Sequence, residues 1–271
     1  MLSQNTQRII RAGYISPQAQ AFLARTSVLS DTERRAYIQM INGMVADGVW
    51  SKLDALYIFA TKDTTTAKLN LVSSNFALTA TSGGTPPTFA VDRGYTGQAS
   101  QGLDTNLALD AAGLNYSLNS GSIGVYCLNN RTSNATTYAI GCDTASSGAQ
   151  ISLLQGGTTF LDVNDLVFPS TANTGTQGLW HGSRTAASGA GCLVLYKNGT
   201  VFGSYSSAVA AGVPAALNVY ILGRNHLGSI AGQATDELSA AWIGGGFTAD
   251  QAARFAARLN RFMAAMRIAV F

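Results

Sequence analysis

The side chains in this chain that could do chemistry are few and scattered. Of the 14 acidic residues only Glu33 and Glu237 are glutamates. Glycoside cleavage needs two carboxylates roughly 5–10 Å apart across the scissile bond. On a strand, residues i and i+2 share a face, so a Glu-x-Asp-x-x-Glu run would be its sign, and none is present. Glu33 stands three residues after Ser30, where it caps a helix. Glu237 follows Asp236 directly, which puts the two on opposite faces of a strand. Asp162 and Asp165 are also oddly spaced and read as loop or turn carboxylates, and Asp143 and Asp162 stand isolated, with no dense Asp/Asn loop for calcium. No Gly-x-Ser-x-Gly elbow supports a serine nucleophile; Gly182-Ser183 beside His181 reads as a polar strand end. Gly244-Gly245-Gly246 lacks the lysine and spacing of a phosphate-binding loop and reads as a strand-to-helix turn. Cys127, Cys142 and Cys192 are odd in number and lack CxxC spacing, and His181 and His226 have no ligand spacing. The cysteines are therefore expected as buried small hydrophobes, with no metal site, no cofactor and no catalytic residue.

Binding chemistry is better represented. A sugar is held by an aromatic face together with amide, hydroxyl and guanidinium groups that hydrogen-bond its hydroxyls. Trp180, His181 and Arg184 form one such cluster near a strand end, and Arg224, Asn225 and His226 form a second. These six residues are the expected glycan contacts.

The elements that must position them follow from local signals. Ser16-Pro17 is a helix start with Pro at the first helical position, and predicts a short helix over 17–25. Ser30-Asp31-Thr32-Glu33 is a capping box. It opens an amphipathic helix over 31–47 on which Tyr37, Ile38, Met40, Ile41, Met44 and Val45 recur at helical spacing, closed by Asp47-Gly48. About 180 residues of short apolar segments follow, at 56–60, 87–91, 121–128, 136–141, 149–154, 158–163, 177–182, 191–196, 200–205, 217–223 and 236–243, divided by Gly, Asn, Ser and Thr clusters. Asn198-Gly199 between two β-runs marks a hairpin, because both turn positions need positive φ. The stretches 80–86 and 170–177 read as long loops. A second capping box, Thr248 with Gln251, opens a C-terminal helix to about Met266; Ala252, Phe255, Ala256, Leu259, Phe262 and Met263 form its apolar stripe, and Arg254, Arg258 and Arg261 its other face.

The 271 residues carry only 11% charge against 46% hydrophobic residues, so the surface must be covered by Ser, Thr, Asn, Gln and Gly. Residues 1–60 hold six basic and four acidic groups and residues 241–271 hold four arginines and one aspartate, so the 180 between hold seven basic and nine acidic. A nearly neutral body cannot neutralise phosphates in number, which argues against nucleic acid. No apolar run is long enough to span a bilayer as a helix, and the N-terminus shows no signal-peptide core, since Ile9-Ile10 is flanked by arginines.

The order of these elements is the recognisable part. Asp47-Gly48-Val49-Trp50 and Lys52-Leu53-Asp54-Ala55-Leu56-Tyr57 are followed by Phe89, by Asp92-Arg93-Gly94-Tyr95-Thr96-Gly97 and by Leu103-Asp104-Thr105. Tyr196-Lys197-Asn198-Gly199, Ile221-Leu222-Gly223-Arg224-Asn225 and Ala241-Trp242-Ile243-Gly244 lead to Phe247-Thr248-Ala249-Asp250-Gln251 and the last helix. Over roughly 31–266 the chain resembles phage- and prophage-encoded virion proteins built on a concanavalin A-like, or laminin-G-like, jelly roll. The resemblance implies a mainly β sandwich with N-terminal helices and a C-terminal helix, and a tail, fibre or head-decoration component that recognises host-surface glycans. On that view residues 1–50 are a helical attachment segment and residues 51–271 the sandwich. Residues 1–30 are expected to dock onto other virion proteins, and the protein is expected in the virion as a homo-oligomer. A free lectin or a glycan-cleaving enzyme on the same fold is the alternative.

Overall fold

The computed structural model describes residues 13–165, 169–207 and 212–271. Two antiparallel-dominated sheets stack face to face with terminal helices on one side, so the layers run helices, first sheet, second sheet. The first sheet contains β1 (Leu53–Ile58), β3 (Thr88–Ala90), β4 (Gly94–Thr96), β6 (Gly121–Cys127), β11 (Gly178–Arg184), β12 (Gly189–Lys197), β13 (Thr200–Ser207) and β17 (Glu237–Gly244). Its order is β13-β12-β11-β6-β17-β4-β3, with β1 also on β17. The second sheet contains β2 (Thr79–Ala80), β5 (Leu103–Ala108), β7 (Ile140–Asp143), β8 (Gly148–Gln155), β9 (Thr158–Asp165), β10 (Ser170–Ala172), β14 (Asn218–Ile221), β15 (Arg224–His226) and β16 (Ser229–Ala231). Its order is β10-β9-β8-β7-β14-β5-β2, and β15 runs parallel beside the end of β7. This is the mainly β sandwich expected, with more strands than were legible: β2, β4, β5, β10, β15 and β16 fall outside the predicted segments, and β2 and β10 lie at or within the stretches read as loops.

The helices form where their caps direct. Helix α1 (Pro17–Leu23) is capped by Ser16, whose Oγ accepts from the Ala19 amide. Helix α2 (Asp31–Ala46) carries the full Ser30/Glu33 capping box, a one-turn helix α3 spans Thr64–Ala67, and helix α4 (Ala249–Ala265) carries the Thr248/Gln251 box. On α4, Phe255, Leu259, Phe262 and Met263 are fully buried against α2 and the first sheet; each such side chain stabilises by roughly 1.5–3 kcal/mol. Tyr37 of α2 meets Phe262 at a ring separation of 4.8 Å. Arg258 crosses over Gly43, where a Cβ would stand 2.7 Å from its side chain, to bind Asp47 at 2.7 Å.

Two findings bear on the boundary expected at residue 50. Helix α2 shares one apolar core with β1, β6, β17 and α4, so the boundary separates elements rather than independently packed units. The segment from Tyr14 to Ser30 is also fastened to its own domain. Phe22 is buried against Tyr37 at 4.8 Å. Asn42 bonds the Ser16 amide and the Tyr14 carbonyl, and the Arg25 guanidinium donates to the carbonyls of Asn70, Leu71 and Ser73. Residues 1–12 of the expected docking segment lie outside the described residues.

The inter-sheet core holds the inward halves of both sheets, including Ile123, Val125, Ile140, Ile151, Leu161, Trp180, Leu195 and Ile243. Cys127, Cys142 and Cys192 are buried free thiols, as expected, and burial raises the pKa of the first two. Among the described residues no helix is long and apolar enough to cross a membrane.

Candidate functional site

The first expected cluster is interior. The first sheet is covered on one face by the second sheet and on the other by the helices, so both faces of β11 are buried along its whole length. Trp180 points into the inter-sheet core and gives its Nε1–H to the Thr176 carbonyl at 2.7 Å. His181, one residue on, points the other way into a cage of Tyr196, Trp242, Phe247 and Phe255. Neither of its ring nitrogens has a partner among the described residues, and burial pushes its pKa down to about 3. Arg184 is fully buried; it pairs with Asp165 at 3.0 Å and donates to the carbonyls of Val163, Ala186 and Ala187. These three residues offer no surface to a ligand, which corrects the expectation. Ser183 bonds the Phe247 backbone rather than His181, so no nucleophile is assembled there.

The second cluster lies on the outer face of the second sheet, on the side away from the helices. Along β7, β8 and β9 the inward positions are Ile140, Cys142, Ala149, Ile151, Leu161 and Val163. Period-two alternation turns Gly141, Asp143, Gln150, Ser152 and Asp162 outward, and the register sets Gly141 opposite Gln150 and Gln150 opposite Asp162. Strand β15 brings Arg224 and His226 to the same side, with His226 paired to Asp143 in the parallel register. His226 Nδ1 and Arg224 Nη1 both reach Asp143 Oδ2, at 2.9 and 3.3 Å. Arg224 Nη1 also donates to Gln150 Oε1 at 3.0 Å, and Gln150 Nε2 donates to Asp162 Oδ2 at 3.4 Å. The guanidinium carbon stands 4.2 Å from the ring centre of Tyr138, a cation–π contact.

Two glycines make this assembly sterically feasible. A Cβ on Gly141 would stand 2.4 Å from the Gln150 Cβ, so only glycine lets that side chain lie across β7. A Cβ on Gly148 would stand 3.0 Å from both the Asp143 Cβ and Asp162 Oδ2. One point 3.0 Å from both atoms bounds their separation at twice that distance, so the two acidic side chains share a site.

The floor of the cluster is dry and the rim is wet: Asp162 is fully buried, while the Arg224 and His226 side chains are 18% and 44% exposed. Burial pushes the Asp162 carboxyl well above the usual carboxylate range, and Asp165 and Asp143 add to the rise. Asp143 Oδ1, Asp162 Oδ1, Ser152 Oγ and Arg224 Nε are buried with no hydrogen-bond partner among the described residues. An unsatisfied buried polar atom costs about 1–3 kcal/mol. Four of them lie on one patch beside a tyrosine ring, enclosed beneath the part-exposed Arg224 and His226 side chains. Asn225 takes no part. Its amide bonds the Asn218 carbonyl and the Gly228 amide, and so holds the β15–β16 turn. Sequence reasoning found Arg224 and His226 and missed Tyr138, Asp143, Gln150 and Asp162, whose convergence depends on strand register.

A cleft of about 670 Å³ opens elsewhere, between the start of α2 and the chain after α4. Its charges are largely committed to one another: Lys62 to Asp92, Arg93 to Glu237, and Glu33 to Ser30. Both glutamates of the chain are thereby engaged. Among the described residues no group of three or more His, Cys, Asp or Glu side chains is placed to hold a metal ion.

No protein-family model matches the chain, and no curated protein matches it. Solved structures with a similar arrangement include domain 4 of AbnA, a GH43 extracellular arabinanase from Geobacillus stearothermophilus, in complex with arabinotriose. It is 19% identical, with 76% of this chain and 98% of that chain covered, at a TM-score of 0.48. The CBM40 of the Ruminococcus gnavus IT-sialidase, bound to α2,3 sialyllactose, is 12% identical over 47% of this chain and 76% of its own, at a TM-score of 0.36. A native heptameric SAP-like pentraxin from Limulus polyphemus is 14% identical over 51% and 69%, also at 0.36. The fold assignment given above rests on the two sheets themselves.

Proposed function

We propose that this chain is a structural component of a bacteriophage virion whose sandwich adheres to host-surface glycan through the outer face of the second sheet. The observation that carries the adhesive part is the cluster of Tyr138, Asp143, Gln150, Asp162, Arg224 and His226. It unites a ring, a guanidinium, an amide and two carboxyls on the sheet face away from the helices, with Arg224 and His226 part-exposed at its rim. Hydroxyl-rich ligands are held by such mixed donor and acceptor sets. The virion part is supported by the resemblance of the element order to phage virion proteins, with residues 1–30 as the proposed attachment segment. Isothermal titration of the full chain with oligosaccharides from the host envelope tests the adhesive part: binding should be lost in Arg224→Ala and weakened in His226→Ala. Binding that survives both substitutions removes the site. Mass spectrometry of purified particles tests the location. Deleting residues 1–12 should abolish incorporation while leaving the melting transition in place.

One observation favours a second reading, glycan cleavage. Burial raises the Asp162 carboxyl well above the usual carboxylate range, while Asp143 is bound by Arg224 and His226, so two carboxyls in unlike environments share one site. Reducing-sugar release from host polysaccharide, abolished by Asp162→Asn, would establish cleavage. Binding without release leaves adhesion.

A further inference from the structure

The lateral edges of the two sheets are protected unequally. Unpaired backbone groups on a sheet edge are a template for another strand, and folds blunt them with short strands, charges, proline or a covering segment. Here β3, β10 and β16 are three residues long and β2 is two. The free side of β1 is covered: the Leu56 amide donates to Asn70 Oδ1, the Leu56 carbonyl accepts from the Leu71 amide, and the Asp54 carbonyl accepts from Asn70 Nδ2. Strand β13 is the exception. It has eight residues, pairs only with β12, and contains no charge and no proline. Among the described residues its outward backbone groups find no partner. The charge gap extends beyond the strand, since no Asp, Glu, Lys or Arg occurs between Lys197 and Arg224.

We infer that β13 is the docking edge for a second copy of this chain, paired antiparallel with its own β13 across a two-fold axis so that the two first sheets become continuous. The occupant follows from the charge pattern. Antiparallel self-pairing sets the residue on the two-fold axis opposite its own copy and its neighbours close to theirs, so charge of one sign on the strand would repel its like, and β13 has none to repel. A partner of different sequence is ordinarily selected by complementary charge, and this edge offers none. The wall beside β13 is also flush. Thr171 of β10 meets the Tyr205 hydroxyl at 2.6 Å, and Gly203 leaves room for Thr171, whose Oγ1 would lie 2.3 Å from a Cβ there. Both sheets thus contribute to one flat side, with Val201 exposed on it. Eight residues at about 3.3 Å each give an edge of ~26 Å, and with a sheet spacing of ~10 Å the wall covers on the order of 260 Å² per copy. That total of about 500 Å² is below the usual size of a specific interface, so the strand pairing gives a weak dimer in exchange with monomer.

Sedimentation equilibrium of the full chain across about 2–200 µM should show mass rising from one chain to two, since the association follows mass action. Val201→Lys with Ser204→Lys, both at exposed positions, would bring four lysines together across the axis. That variant should stay at one chain throughout, with an unchanged melting temperature and oligosaccharide binding intact. Hydrogen exchange on the unmodified protein gives a second readout: amides of 200–206 should slow as concentration rises. A monomer at every concentration, a dimer that survives the lysines, or β13 exchange that does not depend on concentration overturns the proposal.

Discussion

Acidification should destabilise this fold through one imidazole. His181 sits among Tyr196, Trp242, Phe247 and Phe255, with no charged group in contact and burial as the single cause of its low pKa of about 3. The unfolded chain binds a proton at that residue near pH 6.5, while the folded chain refuses it until about pH 3. The contribution is fully present above pH 6.5 and is lost as pH falls through the window between the two values. Linkage puts the loss at about 2 kcal/mol by pH 5 and at ~4 kcal/mol by pH 3. In His181→Leu the side chain has similar volume and no titration. Both proteins keep every other ionisable group, so the shared terms cancel in the difference between them. Urea unfolding at pH 8, 7, 6 and 5 should find the variant at least as stable at pH 8, because two unpartnered ring nitrogens are gone. Its advantage should widen by about 2 kcal/mol at pH 5 with the m-value unchanged. A stability difference that stays constant from pH 8 to pH 5 would refute the reasoning.

Asp162→Asn should raise the melting temperature at pH 8 and lose that advantage toward pH 4. A carboxyl whose folded pKa is raised stabilises the fold below its unfolded value near 3.9 and loses that contribution as pH rises. The same variant should bind oligosaccharide more weakly, the pattern of a site that trades stability for function. Arg131→Ala leaves Asp236 fully buried without its ion pair and should cost about 3–5 kcal/mol in urea unfolding. Arg93→Ala removes the partner of Glu237, but the Arg93 side chain is 57% exposed, so solvent screening should hold the loss to ~1 kcal/mol or less.

Local chemistry made much of the fold legible. Ser30 with Glu33 and Thr248 with Gln251 mark helix starts because capping is a matter of four consecutive residues. Asn198-Gly199 marks the β12–β13 hairpin because two positive φ angles are needed there. The predicted strands fall on real ones, displaced by up to a few residues. The strands that escaped notice are mostly short. The six-residue exception, β5, has Leu103, Thr105 and Leu107 inward between Asp104 and Asn106, an alternation without an apolar run.

The site was half legible, for reasons of layer and register. Trp180, His181 and Arg184 read as a strand end with an aromatic to offer. Alternation implies an exposed face only when one side of a sheet is open, and α2 and α4 close the far side of β11. Arg224 and His226 were visible as a polar pair two residues apart. Their partners Asp143, Gln150 and Asp162 come from three strands, and a slip of one residue in any of them would turn the side chain inward. The glycines at 141 and 148 are the local trace of that convergence, because each stands where a neighbouring strand's side chain needs the space.

The claim that the outer face of the second sheet receives a hydroxyl-rich ligand is tested most directly by hydrogen exchange with and without a host-envelope oligosaccharide. Slowed exchange should concentrate in residues 138–143, 148–155, 158–165 and 224–231, and should vanish in Arg224→Ala. Protection confined to α2, α4 or the cleft beside Arg267, or protection of the β7–β9 face that persists in Arg224→Ala, would contradict the account.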